Sequence, residues 1–256
     1  MDLPEPDAYG RIAYRDLIAW PERLQREAPL LQRVLADAPS RQVLDLGCGS
    51  GEHTRFLTVL GFDVVGVDAS TSQLAAARAA DPGGQYVEAS LTALAGMLGT
   101  EQGAAICVGN TLPHLCEEEE VRVFFSGLAL HLAPGAPFLL QLLNYDRILG
   151  RGERTFPVVL RAGEGDGGDT VFLRLMTHHG DGRLTFTPAH LRYRPGSGTP
   201  LEVIAAHDVS LRGWRRGEIE ALLRETGFQV RELLGTMTGE AWSPTSSDLV
   251  VVAERV

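Results

Sequence analysis

Three glycines on alternate positions, Gly47, Gly49 and Gly51, follow the apolar run Val43-Leu44-Asp45-Leu46. Residues without side chains let a backbone approach a ligand closely, and the helix that follows such a loop offers N–H groups with no partner inside the helix. A second apolar run, Val64-Val65-Gly66-Val67, ends in Asp68, about 20 residues beyond Gly47. An acid at that strand tip accepts hydrogen bonds from ribose hydroxyls. Together these residues have the chemistry to hold an adenosine-bearing cofactor, so an enzyme is expected. The spacing is GxGxG. Glu52 and His53 follow, and the GxGxxG of dinucleotide sites is not matched.

A second group lies in Val108-Gly109-Asn110-Thr111-Leu112-Pro113-His114-Leu115. In open α/β sheets ligands gather at the carboxyl ends of strands, so a loop leaving a strand here faces the reacting centre. His114 is the best-placed general base, with a loop histidine bonded to backbone as the alternative. Further along, His178 and His179 are candidates to line an acceptor pocket. Arg161, Arg174, Arg192 and Arg194 are candidates to bind a substrate carboxylate, or else a solvated sheet face.

The elements that must position these groups read as an α/β fold. Leu24, Ala28, Leu31 and Leu35 recur at helical spacing over Pro21–Ala36. Strands are expected at Val43–Leu46, Asp63–Val67, Gln85–Glu88, Ala104–Val108 and Pro137–Leu143. Helices are expected at Glu52–Leu60, Ser72–Ala80 and Glu117–Leu132, the last opening on four glutamates that suit the positive end of its dipole. Alternating strands and helices predict a parallel, doubly wound sheet with helices on both faces. The rhythm changes after Asn144. Residues 150–211 alternate as strands between turns at Gly165-Asp166-Gly167-Gly168, Gly180-Asp181-Gly182 and Pro195-Gly196-Ser197-Gly198, which predicts an antiparallel insertion. Helix returns at Trp214–Thr226, and strands at Phe228–Leu234 and Asp248–Ala253 close the chain. One domain over residues 1–256 is expected, with residues 1–36 as an N-terminal lid segment.

Composition narrows the class. The chain has 256 residues, 44% of them hydrophobic, and a formal charge of −10. All 23 basic residues are arginine. An acidic chain without a basic run is a poor ligand for nucleic-acid phosphates. The 3 cysteines, Cys48, Cys107 and Cys116, form no CxxC pair, so a reduced, cytoplasmic setting without a zinc site is expected. The acidic, proline-bearing start is not a signal peptide, and no apolar run reaches the roughly 20 residues of a membrane span.

The segment Asp45-Leu46-Gly47-Cys48-Gly49-Ser50-Gly51 closely resembles the first motif of class I S-adenosylmethionine-dependent methyltransferases, and Val67-Asp68-Ala69-Ser70 resembles their second. The resemblance extends over most of the chain and implies a seven-stranded sheet whose last strand is antiparallel. It implies S-adenosyl-L-methionine as cofactor, with Asp45, Gly47, Cys48 and Gly49 around its methionine and ribose, Asp68 on the ribose diol and Ala69 at the adenine. Ser90 and Leu91 stand where the family often binds the adenine amino group with an acid, so here the sequence departs from the pattern. Val108, Gly109 and Asn110, and then Asn144-Tyr145-Asp146, are similar to segments of glycine N-methyltransferase-like members. By that similarity Asn110 supports the methionyl end, Asn144 contacts the acceptor, and Arg23 binds the cofactor carboxylate. Tyr9, Tyr14 and Trp20 form a lid, with Tyr9 and Tyr14 beside His114 as candidate catalytic residues. The implied reaction is methyl transfer to a small-molecule amine or hydroxyl. The alternatives are a nicotinamide-dependent oxidoreductase, disfavoured by the glycine spacing, and a non-catalytic regulatory binder of the same fold.

Overall fold

The computed structural model describes residues 18–96, 101–163 and 167–256. Its first helix, α1 (Trp20–Leu35), has Pro21 in its first turn, where the missing N–H costs nothing. There follow β1 (Gln42–Leu46), α2 (Glu52–Val59), β2 (Asp63–Asp68), α3 (Thr71–Ala80), β3 (Gln85–Glu88), β4 (Ala104–Cys107), α4 (Glu118–His131) and β5 (Pro137–Leu143). The short helix α5 (Tyr145–Arg151) leads into β6 (Val159–Arg161), β7 (Asp169–His179), β8 (Arg183–Tyr193), β9 (Leu201–Ala206) and β10 (Val209–Arg212). Helix α6 (Arg216–Glu225) and strands β11 (Phe228–Leu234) and β12 (Asp248–Arg255) complete the chain.

The main sheet has seven strands in the order β11-β12-β5-β4-β1-β2-β3. Strand β12 runs antiparallel to both neighbours, and the β1–β5 pairings are parallel. Successive side chains on a strand point to opposite faces, and this sheet is covered on both. Val43, Ala104, Ile106, Leu139, Val250 and Val252 pack against α1 and α2. Leu44, Ala105, Cys107, Phe138, Leu140 and Val251 pack against α4 and α6. Continuous apolar runs in these strands reflect that double burial.

Strands β6–β10 form a second, antiparallel sheet, in the order β10-β8-β7-β6 with β9 also on β8. Its inner face, including Met176, Leu184, Phe186 and Leu211, joins the core that holds Tyr145, Ile148 and Trp214. Trp214 is buried and donates its indole N–H to the Leu115 carbonyl at 2.9 Å, which ties the segment after the second sheet to the loop after β4. The sequence reading missed α5 and the 3-10 turns at Leu91–Gly96 and Leu112–His114. All three are one or two turns long, too short for a periodic signal.

Candidate active site

The glycine loop leaves β1 and enters α2 with positive φ at Gly47 (74°), Gly49 (53°) and Gly51 (79°), a region that side chains rarely tolerate. Space as well as φ requires glycine. A Cβ on Gly47 would overlap the Thr111 side chain, and one on Gly51 would stand 2.7 Å from the Tyr86 hydroxyl. A Cβ on Gly49 would meet only Gln73 Oε1, at 3.8 Å, so the backbone is bare there and open to a ligand. Most N–H groups of the loop itself are turned inward. Gly47 and Cys48 both donate to the Val67 carbonyl (2.7 and 3.1 Å), Gly49 donates to Asp68 Oδ2 (2.8 Å) and Gly51 to the Cys48 carbonyl (2.9 Å).

Asp68 ends β2 and links the loop to the next helix, accepting from Gly49 N and, through Oδ1, from Ser70 N at 2.8 Å. Ala69 is exposed beside it. Asp45 lies elsewhere. At 1% exposure it is under the loop, accepting from Thr54 Oγ1 at 2.7 Å, with burial raising its pKa. It braces the loop from below and does not line its surface. Cys48 is buried against Leu74, Ala77 and Tyr86. Burial first, and then the charges of Asp45 and Asp68, push its thiol far above the ordinary range, so it is no nucleophile. Ser90 is exposed and caps its own turn, accepting from Thr92 N at 3.2 Å, while Leu91 is buried.

The loop after β4 is equally constrained. Val108 is buried, Gly109 has φ 82°, and Asn110, at 66°, is a non-glycine residue with positive φ. Asn110 Oδ1 accepts from Leu143 N at 3.0 Å, and its amide meets the Tyr145 hydroxyl at 3.1 Å. The left-handed turn is thus fastened to the end of β5. Gln141 braces it from below, accepting from Gly109 N (2.7 Å) and donating to Asp248 Oδ1 (2.8 Å). His114 closes the 3-10 turn. It keeps contact with solvent but is crowded by protein, and this desolvation lowers its pKa to about 4.

Arg23, on α1, reaches the same place. Its Nε donates to Glu27 Oε1 at 2.8 Å, and a Cβ on Gly109 would lie 3.9 Å from its Nη2. Glu27 in turn meets His53 Nε2 at 2.7 Å. Burial pushes the Glu27 carboxyl up, but the His53 hydrogen bond and the Arg23 charge outweigh it and hold the pKa below the usual range.

The acceptor side departs further from expectation. Asn144 is 0% exposed. Its amide donates to the carbonyls of Ser243, Pro244 and Ser246, and its oxygen caps α5 by accepting from Arg147 N at 3.3 Å. It holds the loop between β11 and β12 and has nothing left for an acceptor. His178 bonds the Glu153 carbonyl at 2.7 Å and lines a cavity of about 460 Å³ with His179, Arg183, Arg212 and Arg215. No residue of the glycine loop or of the loop after β4 lines that cavity. Arg174 has its guanidinium 5.2 Å from the Phe156 ring and 6.0 Å from that of Phe172, and donates to the Pro157 carbonyl at 3.4 Å. Tyr9 and Tyr14 lie outside the described residues.

Glu27, His53, Gln141 and Asp248 were not singled out from sequence. Glu27 left a trace: it falls four residues before Leu31, on the apolar stripe of α1, where an acid needs a partner. Among the described residues no group of three His, Cys, Asp or Glu side chains is arranged for a metal ion, and no helix is long and apolar enough to cross a membrane.

A seven-stranded sheet with an antiparallel β12, a glycine loop bare of side chains and an acid at the β2 tip are the frame of a nucleoside-cofactor enzyme of the methyl-transferring class. Residues 43–135 match the methyltransferase domain family. A glycine/sarcosine N-methyltransferase of Parasynechococcus marenigrum is 30% identical over 83% of this chain and 72% of its own length. One from Halorhodospira halochloris is 26% identical over 94% and 85%. An amino pentose methyltransferase from Micromonospora echinaspora, solved with S-adenosylmethionine bound, has the same fold at a TM-score of 0.73 and 20% identity, covering 100% of both chains. The CcbJ methyltransferase of Streptomyces caelestis superposes at 0.75, with 24% identity over 98% of both. The chain belongs to the class I S-adenosylmethionine-dependent methyltransferases, and S-adenosylmethionine is its cofactor. The nicotinamide and non-catalytic alternatives fall with that assignment.

Proposed function

We propose that this enzyme methylates the amine nitrogen of a small molecule. The observation that carries the reading is the similarity to glycine/sarcosine N-methyltransferases over 83% and 94% of the chain, and the weakly basic His114 at the end of the loop after β4 is in keeping with it. The bound cofactor supplies an activated methyl on a sulfonium, so the protein's part is alignment and exclusion of water. An alkyl or sugar hydroxyl must lose a proton held far more tightly than an ammonium's. An imidazole poised near 4 is far too weak a base for that. An ammonium, with a pKa of about 10, deprotonates through solvent at a useful frequency. The ring then accepts one N–H and turns the amine lone pair toward the methyl group. The glycine/sarcosine relatives and the amino pentose enzyme support the same acceptor class, and the acidic chain favours small molecules over nucleic acid.

In this reading Gly47, Cys48 and Gly49 line the methionyl and ribose parts of the cofactor, Asp68 takes the ribose diol and Ala69 flanks the adenine. Asn110 and Gly109 border the methionyl end, and Arg23 takes its carboxylate through the paired donors of the guanidinium. The test is turnover with S-adenosylmethionine across glycine, sarcosine, amino sugars and matched alcohols and phenols, read as methylated product by mass spectrometry. Product from amines alone is expected. Methylation of hydroxyls at equal or greater rate overturns the reading.

A further inference from the structure

We infer that Glu27 and His53 are positioning residues that hold Arg23 in place for the carboxylate of the methionyl cofactor. This rests on the reading of Arg23 as the carboxylate contact. Arg23 is fixed on two sides. Its Nε edge is held by Glu27, and its plane lies over the Trp20 ring, 5.0 Å from the centroid. The Nη edge is thereby turned toward Gly109, at the end of β4. Glu27 is fixed in its turn by His53, the second residue of α2 and two positions past Gly51. The relay therefore runs from the glycine loop to the far wall of the same site.

The pair is not there to stabilise α1. Arginine four residues before glutamate is the weaker orientation for a helix ion pair, and the Glu27 and His53 side chains are only 4% and 7% exposed. Burying them demands a gain elsewhere. Trp20 also points to a ligand. Its ring meets His53 edge-on at 5.6 Å, and its Nε1 is buried without a hydrogen-bond partner among the described residues. Orphaned donors of this kind are rare in finished interiors, and this one belongs to the cluster around Arg23.

A merely structural tie between α1 and α2 would weaken every ligand alike. A positioning relay would weaken only those with an amino-acid end. The experiment measures calorimetric affinity for S-adenosylhomocysteine, which has the carboxylate, and for 5′-methylthioadenosine, which lacks it. Arg23→Met, Glu27→Gln and His53→Gln are compared with the parent enzyme, with Tm recorded for each. All three should lose about 10- to 100-fold in affinity for S-adenosylhomocysteine and leave methylthioadenosine within about threefold. If Arg23→Met shows this selectivity and the other two do not, the relay is refuted while the Arg23 reading stands. If Arg23→Met is itself unselective, both fall. Tighter S-adenosylhomocysteine binding in Glu27→Gln would make Glu27 a neutralising charge and overturn its positioning role. Should Glu27→Gln fail to fold, His53→Gln decides the question.

Discussion

The two sheets of this enzyme stand in contrast. The main sheet is buried on both faces, and at its carboxyl edge nearly every turn is fastened: the glycine loop to Val67 and Asp68, the loop after β4 to Gln141, Leu143 and Tyr145. The second sheet is more open. Leu160 and Val203 on its strands are 60% and 63% exposed. The cofactor half is built from backbone geometry, which admits few residue types. The second sheet, the proposed acceptor half, is built from side chains on strand faces, where many types serve. A cofactor common to many enzymes belongs with the first kind of construction, and an acceptor that differs between relatives with the second.

If the contrast holds, the largest effects should come from the fastened edge. Gly47→Ala forces a side chain into positive φ and into Thr111. The strain and overpacking together should cost about 2–5 kcal/mol of stability. S-adenosylhomocysteine binding should fall below detection by calorimetry. A variant that binds normally would mean that the loop is looser than its hydrogen bonds require.

Asp68→Ala comes next. It removes the anchor for Gly49 N and Ser70 N as well as the proposed ribose contact. Affinity for S-adenosylhomocysteine should drop by about 1–3 kcal/mol. An unchanged Kd would refute the ribose assignment.

The same contrast explains what the sequence made legible. Glycine at 47, 49 and 51 answers a backbone requirement, and Asp68 sits at a fixed distance along the chain, so both could be read from residue type and spacing. Strand and helix bounds followed from periodicity, with Pro137–Leu143 and Phe228–Leu234 observed as expected. What stayed hidden depends on long-range contact. Asn144 was expected at the acceptor because its segment resembles one in glycine N-methyltransferase-like members, yet its side chain is taken by carbonyls about 100 residues away. Glu27 and His53 come from two helices, and no local pattern announces that they meet. The inward-turned N–H groups of Gly47, Cys48 and Gly49 were equally invisible, since their acceptors are on β2.

Asn144→Ala separates structure from recognition on the acceptor side. Several buried hydrogen bonds vanish together, so stability should fall by about 2 kcal/mol or more, measured as Tm. KM for the acceptor should stay near that of the parent at a temperature where both are folded. A raised KM with unchanged Tm would return Asn144 to the pocket and blur the line between the halves.

His114 gives a smaller, pH-dependent effect. Its pKa is lowered from an ordinary 6.5 to about 4 by desolvation. As pH falls the unfolded chain takes up this proton first, so the stability associated with the group is full above about 6.5 and is lost on the way down to about 4. His114→Gln should flatten the Tm profile over that window. The acid limb of the rate profile assigned to this ring should lie near 4, and a limb near 6.5 would detach it from His114.

The smallest effect is expected at Cys48, and it tests whether the fastened edge does chemistry or only shapes a cradle. The thiol packs against Leu74, Ala77 and Tyr86, and a Cβ on Gly66 would lie 2.9 Å from its sulfur. Its raised pKa leaves it protonated. Cys48→Ala should lose a little packing, lower Tm slightly and leave kcat within about twofold, less than 0.5 kcal/mol in the barrier. A tenfold loss of kcat with unchanged cofactor affinity would give the sulfur a part in the reaction. A loss of affinity without loss of kcat would instead show that even the packing beneath the loop tunes how the cofactor is held. That would extend the contrast between the two halves from hydrogen bonds to the volumes that support them.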